Sequence, residues 1–258
     1  MRGAEHETYR LHAKLPAYGR AVQRAQDVVR HALDEVKGKW AVECSGGKDS
    51  VALTHLALSA GWRGDLFHFH FEETPPENTA MVIALAGRFG VGVETALVQG
   101  DFETLRRIGH FFAMPETAEE KAAVREGERR YKAEVESAAR RAGYAGLFWG
   151  LRKEESRARA ITLAKYGMLY RAKTRETWTA CPLATWSARD VWAYLIAHEL
   201  PWLPVYDASE DRERERSETT WLGFDQAWLH GQGQRLRERD PALWVRLCLK
   251  WPELRRLG

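Results

Sequence analysis

Residues 44–50 read Cys-Ser-Gly-Gly-Lys-Asp-Ser, straight after the apolar run Lys-Trp-Ala-Val-Glu and before Val-Ala-Leu-Thr-His-Leu-Ala-Leu. Glycines at a turn from strand to helix let backbone N–H groups approach a ligand, and the following helix presents its positive end there. Ser45 and Ser50 add hydroxyl donors and Lys48 a point charge, so Ser45, Gly46, Gly47, Lys48, Asp49 and Ser50 read as a cradle for phosphate. The phosphate loop of kinases and GTPases is excluded. That loop needs a hydroxyl residue after its lysine and a glycine six positions before it. Here Asp49 and Val42 occupy those places. The plain alternative is an ordinary glycine turn.

A second charged group follows the apolar Leu-Phe-Trp-Gly of 147–150, in the run from Gly150 to Arg159. Arginine suits bidentate binding of phosphate or sulfate. Arg152 and Arg157, with Ser156 and Arg159 beside them, are candidates to face an anion, and Glu155 to orient their guanidiniums. The alternative is a solvated, salt-bridged helix start worth little energetically. Gly150 at a strand's carboxyl end favours the functional reading, because open parallel sheets bind ligands there. Further on, the charged run 208–218 is either a solvated acid–base stretch or a lid, with Arg216 as the candidate among Arg212, Arg214 and Arg216. His68, His70 and Glu72 alternate along one strand face, and a metal site is conceivable. Alternation on a half-buried strand explains the same spacing without metal.

The elements that must position these groups alternate. A helix over 16–37 leads to a strand at 40–44, then come a helix to Gly61, a strand at 65–72, a helix at 79–89 and a strand at 91–99. Residues 115–143 read as a long charged helix with Gly127 as a possible break, 168–183 as two short strands around Lys-Thr-Arg-Glu, and 187–200 as a helix with a serine cap and Asp190 three positions on. Strands alternating with helices imply an α/β fold, a parallel twisted sheet with helices on both faces, plus a C-terminal helical extension. The expected division is an N-terminal helical segment 1–37, a domain 38–207, and a charged loop with a Trp-rich helical tail 208–258.

Composition sets the outer bounds. The chain has 258 residues, 45% hydrophobic and 29% charged, with a net charge of +3. No apolar run approaches the roughly 18 residues of a membrane span, and the N-terminus lacks an apolar secretory core, so a cytoplasmic protein is expected. Cys44, Cys181 and Cys248 form no C-x-x-C pair, which argues against a disulfide framework, a zinc ribbon or a locally held iron–sulfur cluster. Cys44 and Cys181 each precede a motif and are expected as small buried residues. Of the 39 basic residues 29 are arginine, which fits anion binding but fits a codon-biased genome equally well.

Ser45–Ser50 resembles the loop of the PP-loop ATP pyrophosphatases. Gly150–Arg159 is similar to the G-x-R-x-x-E-S-x-x-R pattern of that superfamily's phosphoadenosine-phosphosulfate (PAPS) reductase branch. Cys181–Asp207 resembles the same branch's P-L-x-x-W-x-x-x-D-V-W-x-Y segment with its following L-P-x-x-P-x-Y-D. The three blocks come in family order over roughly 38–207. The resemblance implies a Rossmann-like PP-loop fold that binds ATP with Mg²⁺ and splits it between the α and β phosphates. The loop would hold the departing pyrophosphate, and Lys48, Arg152 and Arg157 would act in catalysis. Gly150, and Glu72 near the ribose, would bind the nucleotide, while Arg152, Glu155, Ser156, Arg157, Arg159 and Arg216 would meet the α-phosphate or an acceptor. Pro182, Leu183 and Trp186 would be architectural.

The branch contains PAPS and adenylyl-sulfate reductases, the small subunit of bacterial ATP sulfurylase, FAD synthetases and enzymes that put sulfur into DNA. Its reductases carry a nucleophilic cysteine near the C-terminus in an E-C-G-like motif. Cys248, between Leu247 and Leu249, instead reads as a buried thiol, so an adenylyltransferase of sulfur metabolism with sulfate as first acceptor is expected. Two rivals stay open. One is nucleic-acid sulfur modification, with the arginines of 125–159 tracking a backbone. The other is a nucleotide-binding module or PAPS-binding reductase homologue without ATP turnover, working through a protein partner or as a homodimer.

Overall fold

The computed structural model describes residues 3–70, 74–98, 116–173, 175–208 and 232–256. Six strands form one sheet: β1 (Lys39–Glu43), β2 (Leu66–His70), β3 (Val93–Leu97), β4 (Tyr144–Phe148), β5 (Leu169–Tyr170) and β6 (Trp178–Ala180). Their spatial order is β3-β2-β1-β4-β6-β5, parallel except for the β5–β6 pair. In β1, Trp40, Ala41 and Val42 are all buried, as a strand covered on both faces requires.

The crossovers explain the helices. α1 (Gly3–Ala13) and α2 (Pro16–Glu35) precede the sheet, and α3 (Lys48–Ser59), α4 (Pro76–Phe89) and α5 (Ala118–Arg141) follow β1, β2 and β3. After β4 come a 3₁₀ turn (Lys153–Glu155), α6 (Arg157–Tyr166), α7 (Ala188–Ala197) and the short α8 (Val205–Ala208). In α2, Ala21, Ala25, Val29 and Ala32 form one buried stripe in the same core as Trp40, Val42 and Leu53 of β1 and α3. Alanine on that stripe lets the helix lie close to the sheet. The N-terminal helices thus belong to the main core. α5 covers the other face through Val135, Ala138 and Ala139, packed with Ala41, Phe67 and Leu147.

Two local readings need correction. α5 runs through Gly127 without a break, started by a Thr117–Glu120 capping box. The cap and the buried stripe outweigh the cost of one helical glycine, about 1 kcal/mol. β4 starts at Tyr144 rather than Leu147, because Gly143, at φ +76°, turns the chain sharply out of α5 into the sheet. Beside it, a Cβ on Gly146 would lie 2.5 Å from the Trp40 ring, so glycine lets the indole fill the gap between β1 and β4. The tail helices α9 (Gln232–Arg239) and α10 (Pro241–Lys250) bury Leu243, Trp244, Leu247, Cys248 and Trp251 in a separate small cluster. No helix among the described residues is long and apolar enough to cross a membrane.

The chain runs from β1 to β2 and β3 on one side, then returns to β4 on the other. That reversal leaves a crevice at the carboxyl ends of β1 and β4, where open α/β sheets bind ligands.

Candidate functional site

The 44–50 loop lies at that crevice, and its glycines are dictated by geometry. Gly46 has φ +80°, and a Cβ there would sit 2.7 Å from the Asn78 carbonyl oxygen. The fully buried Asn78 fixes the loop from α4, its Nδ2 donating to the Ser45 carbonyl at 3.0 Å. Gly47 is the N-cap of α3 and gives no side-chain cap, so the helix's first amides are left for other partners. The Lys48 amide donates to the Tyr206 hydroxyl at 3.4 Å, and the Gly47 amide to Ser45 Oγ at 3.4 Å. Ser50 lies in the first turn of α3. Its hydroxyl donates to the Gly47 carbonyl at 2.8 Å and is buried. Near a helix start a serine can bond its own backbone, so it braces the turn instead of facing outward.

The second charged group meets the first through Asp49. Its Oδ1 accepts from Arg152 Nε at 2.6 Å, and its Oδ2 accepts from Lys48 Nζ at 2.7 Å. Burial pushes the Asp49 carboxyl up, but Lys48 and Arg152 outweigh it and hold the group below the usual carboxylate range. One carboxylate between two cations leaves the trio with net charge +1 beside the positive end of α3, a favourable field for an anion. Gly150 packs alongside, a Cβ there lying 3.4 Å from Asp49.

Arg152 is 2% exposed, a buried brace between the loops. Glu155 accepts from its amide at 2.8 Å and pairs with Arg159 Nη1. Ser156 caps α6 by accepting from the Arg159 amide at 3.1 Å. Arg157 is exposed at the first turn of α6, with no ion pair among the described residues. Glu72 and Arg216 lie outside the described residues.

The strand histidines hold each other and the loop. His68 Nδ1 lies 2.9 Å from the Cys44 carbonyl, which only accepts, so Nδ1 carries the proton. Its Nε2 then accepts from the Thr79 hydroxyl at 3.1 Å, and His70 Nδ1 lies 3.3 Å from the same oxygen. Burial lowers the His68 pKa, consistent with a neutral ring. Cys44 and Cys181 are fully buried, and burial pushes their thiols up to about 11 and about 12. Asp190 completes a capping box with Ser187, and Trp186 Nε1 donates to the Ala21 carbonyl at 3.2 Å.

Three residues had no role assigned from the sequence, although Tyr206 lies in the quoted 181–207 block. Asn78 and Tyr206 touch the loop from 33 and 158 residues away, a distance no local pattern records. Glu43 is one polar residue inside the expected strand 40–44, yet burial pushes its carboxyl up to about 7, with Arg159 pulling the other way.

A divalent cation would meet one described carboxylate at this loop, Asp49, already shared by two cations. Among the described residues no three His, Cys, Asp or Glu side chains converge as a metal site. The described residues therefore form no Mg²⁺ cage here; Mg²⁺ usually travels with phosphate and water ligands of its own.

Known proteins resemble the chain in sequence and in fold. Curated phosphoadenosine 5'-phosphosulfate reductases from Xanthomonas oryzae pv. oryzae (strain PXO99A) and Xanthomonas axonopodis pv. citri (strain 306) are 42% and 40% identical over 62 residues. The match spans 23% of this chain and only 22% of those relatives. A PAPS reductase from Candida auris, solved with phosphate, aligns over 81% of this chain and 92% of its own, at 15% identity and TM-score 0.50. A tRNA thiolase from Methanococcus maripaludis aligns over 91% of this chain and 79% of its own, at 13% identity and the same TM-score of 0.50. At such identities these structures share the fold alone. The model of the phosphoadenosine phosphosulfate reductase domain matches residues 39–223, through the loop, the 150–159 segment and the 181–207 segment. The chain belongs to that family, within the PP-loop superfamily.

Proposed function

We propose that the chain binds ATP with its β and γ phosphates at the start of α3, cleaves it between the α and β phosphates, and passes AMP to an acceptor. The observation that carries this reading is the Asp49–Arg152 contact at 2.6 Å. It joins the cradle suited to a leaving pyrophosphate to the arginine segment that follows the neighbouring strand. An in-line displacement needs both ends of the α-phosphate attended.

The protein's part is electrostatic. Charge develops on the bridging oxygen as pyrophosphate departs, and the amides of α3 with the net-positive trio stabilise it where it forms. Arg152 acts as a positioning residue that holds the loop, while the exposed Arg157 is free to meet the α-phosphate. Mg²⁺ enters with the nucleotide. Sulfate is the acceptor the sequence favours.

Reduction of a sulfate ester has the family name in its support but lacks a nucleophile. Cys248 is 5% exposed among leucines and tryptophans, and burial pushes its thiol up. A thiol nucleophile needs a lowered pKa and access.

The test is product analysis with α-labelled ATP and Mg²⁺, with and without sulfate. AMP and pyrophosphate are expected. ADP and phosphate would overturn the reading.

A further inference from the structure

Glu43 ends β1 on the face opposite α3. Side chains alternate along a strand, and Ala41, two residues earlier, packs with Phe67, Phe69 and Leu147 under α5. Aromatic rings from three elements wall the same region. Phe69 stacks on Trp149 at 5.9 Å between centroids and meets Tyr131 edge-on at 6.5 Å. Glu43 is half-buried and makes no hydrogen bond or ion pair among the described residues. Trp149 Nε1 is buried and likewise has no acceptor among them. A carboxyl without a donor, one residue before the phosphate loop, and an indole N–H without an acceptor in the adjoining aromatic cluster are features of a half-site built for a ligand.

The charges around Glu43 narrow the ligand. Arg159 faces it from α6, but that guanidinium is paired with Glu155, as Arg152 is with Asp49. Tyr131 faces it from α5, its phenol pushed up by burial and by Glu43 and eased by Arg175 from the loop before β6. The neighbouring Cys44 thiol is pushed up to about 11, first by burial. A doubly charged oxyanion would have to settle beside a carboxylate while two of the nearby arginines are already committed. A neutral, flat molecule meets no such cost and gains the aromatic walls.

We propose that Glu43 is the catalytic base of the acceptor half-site, taking the proton from a neutral acceptor, an amide, lactam or hydroxyl, as that acceptor's oxygen attacks the α-phosphorus. This rests on the adenylyl-transfer reading and replaces sulfate as the acceptor. A new oxygen–phosphorus bond forms, and the bond from the α-phosphorus to the bridging oxygen breaks. The electron pair leaves with pyrophosphate and the proton ends on Glu43. Sulfate has no proton to give near neutrality. Burial holds the Glu43 carboxyl at about 7, where a general base is most effective at cellular pH.

The experiment compares the full chain with Glu43→Gln, using α-labelled ATP, Mg²⁺, and water, hydroxylamine or sulfate as acceptor. The wild-type chain is expected to release AMP and pyrophosphate with water, to release pyrophosphate faster with hydroxylamine as adenylylated hydroxylamine forms, and to go no faster with sulfate. Glu43→Gln should lower that rate about 100-fold with ATP affinity unchanged. The wild-type rate should climb with pH through about 7, and the variant should lose that limb. If Glu43→Gln turns over as fast as wild type, or adenylyl sulfate accumulates, Glu43 is not the base and ATP cleavage survives as the function. If the wild-type chain gives ADP, or no AMP at all, the ATP reading itself fails and Glu43 has no reaction to serve. Should the variant not fold, the wild-type profile decides alone: a flat rate between about pH 5.5 and 8.5 overturns the assignment.

Discussion

Asp49 and Arg152, 103 residues apart in sequence, meet at 2.6 Å across the crevice between β1 and β4. Removing the arginine leaves a partly buried carboxylate with only Lys48 of its two partners and uncouples the loops. Arg152→Ala is therefore expected to fold but to lose about 3 kcal/mol and at least about 100-fold in AMP formation. Arg152→Lys keeps the charge without the Nε geometry and should recover only part of both. Urea midpoints and AMP release measure the two effects, and full activity in Arg152→Ala would remove the residue from the site.

Gly46→Ala tests the cradle. An alanine at φ +80° is strained, and its methyl would meet the Asn78 carbonyl at 2.7 Å. The expected cost is about 1–3 kcal/mol, with ATP affinity down roughly tenfold or more, since each 1.4 kcal/mol is a factor of ten. Equilibrium ATP binding reads it directly. Gly150→Ala, where the added methyl finds ordinary contact at 3.4 Å, should be far milder.

Acid should loosen the N-terminal helix. Asp190 accepts from Ser187 and lies 2.8 Å from His12 of α1. Burial pushes its carboxyl up, but the hydrogen bonds from His12 and Ser187 outweigh that and set it below the ordinary value. A group with a depressed folded pKa stabilises fully above its unfolded value, about 3.9, and loses that contribution as pH falls through the folded one. Asp190→Asn should thus cost about 1 kcal/mol at neutral pH, with the gap to wild type closing below about pH 4. Urea titrations across pH would check this.

Cys248→Ser separates transfer from reduction. The thiol is buried with Leu243, Trp244 and Leu247, so AMP formation should be unchanged. No thiol-dependent sulfite should be released from phosphoadenosine phosphosulfate by either protein. Sulfite from wild type that vanishes in the variant would make Cys248 a nucleophile after all.

The sequence was most legible where chemistry and local structure coincide. Ser45–Ser50 announces a strand, a turn and a helix start at once, and Gly150–Arg159 announces a strand's end. Alternation of elements then yields the parallel sheet. What stayed hidden was spatial. Asn78 and Tyr206 act on the loop through tertiary contact, and Ser50 spends its hydroxyl on a bond that the spacing cannot show. Glu43 hides inside an apolar run because a strand's last residue carries no mark of which face it occupies. Gly127 misled for a related reason, since a cap and a buried stripe outweigh one glycine.

The strand order has a consequence for the chain as it is made. β1 is complete at Glu43, yet one of its two neighbours, β4, does not begin until Tyr144. At roughly 5–20 residues per second, the 103 residues from Asp49 to Arg152 take about 5–20 seconds to emerge. During that interval the central strand has an open edge and Asp49 lacks its second cation. On the proposed function, firm ATP binding therefore waits until residue 152 has been made, and a ribosome stalled before that point carries the glycine loop without the brace that sets it.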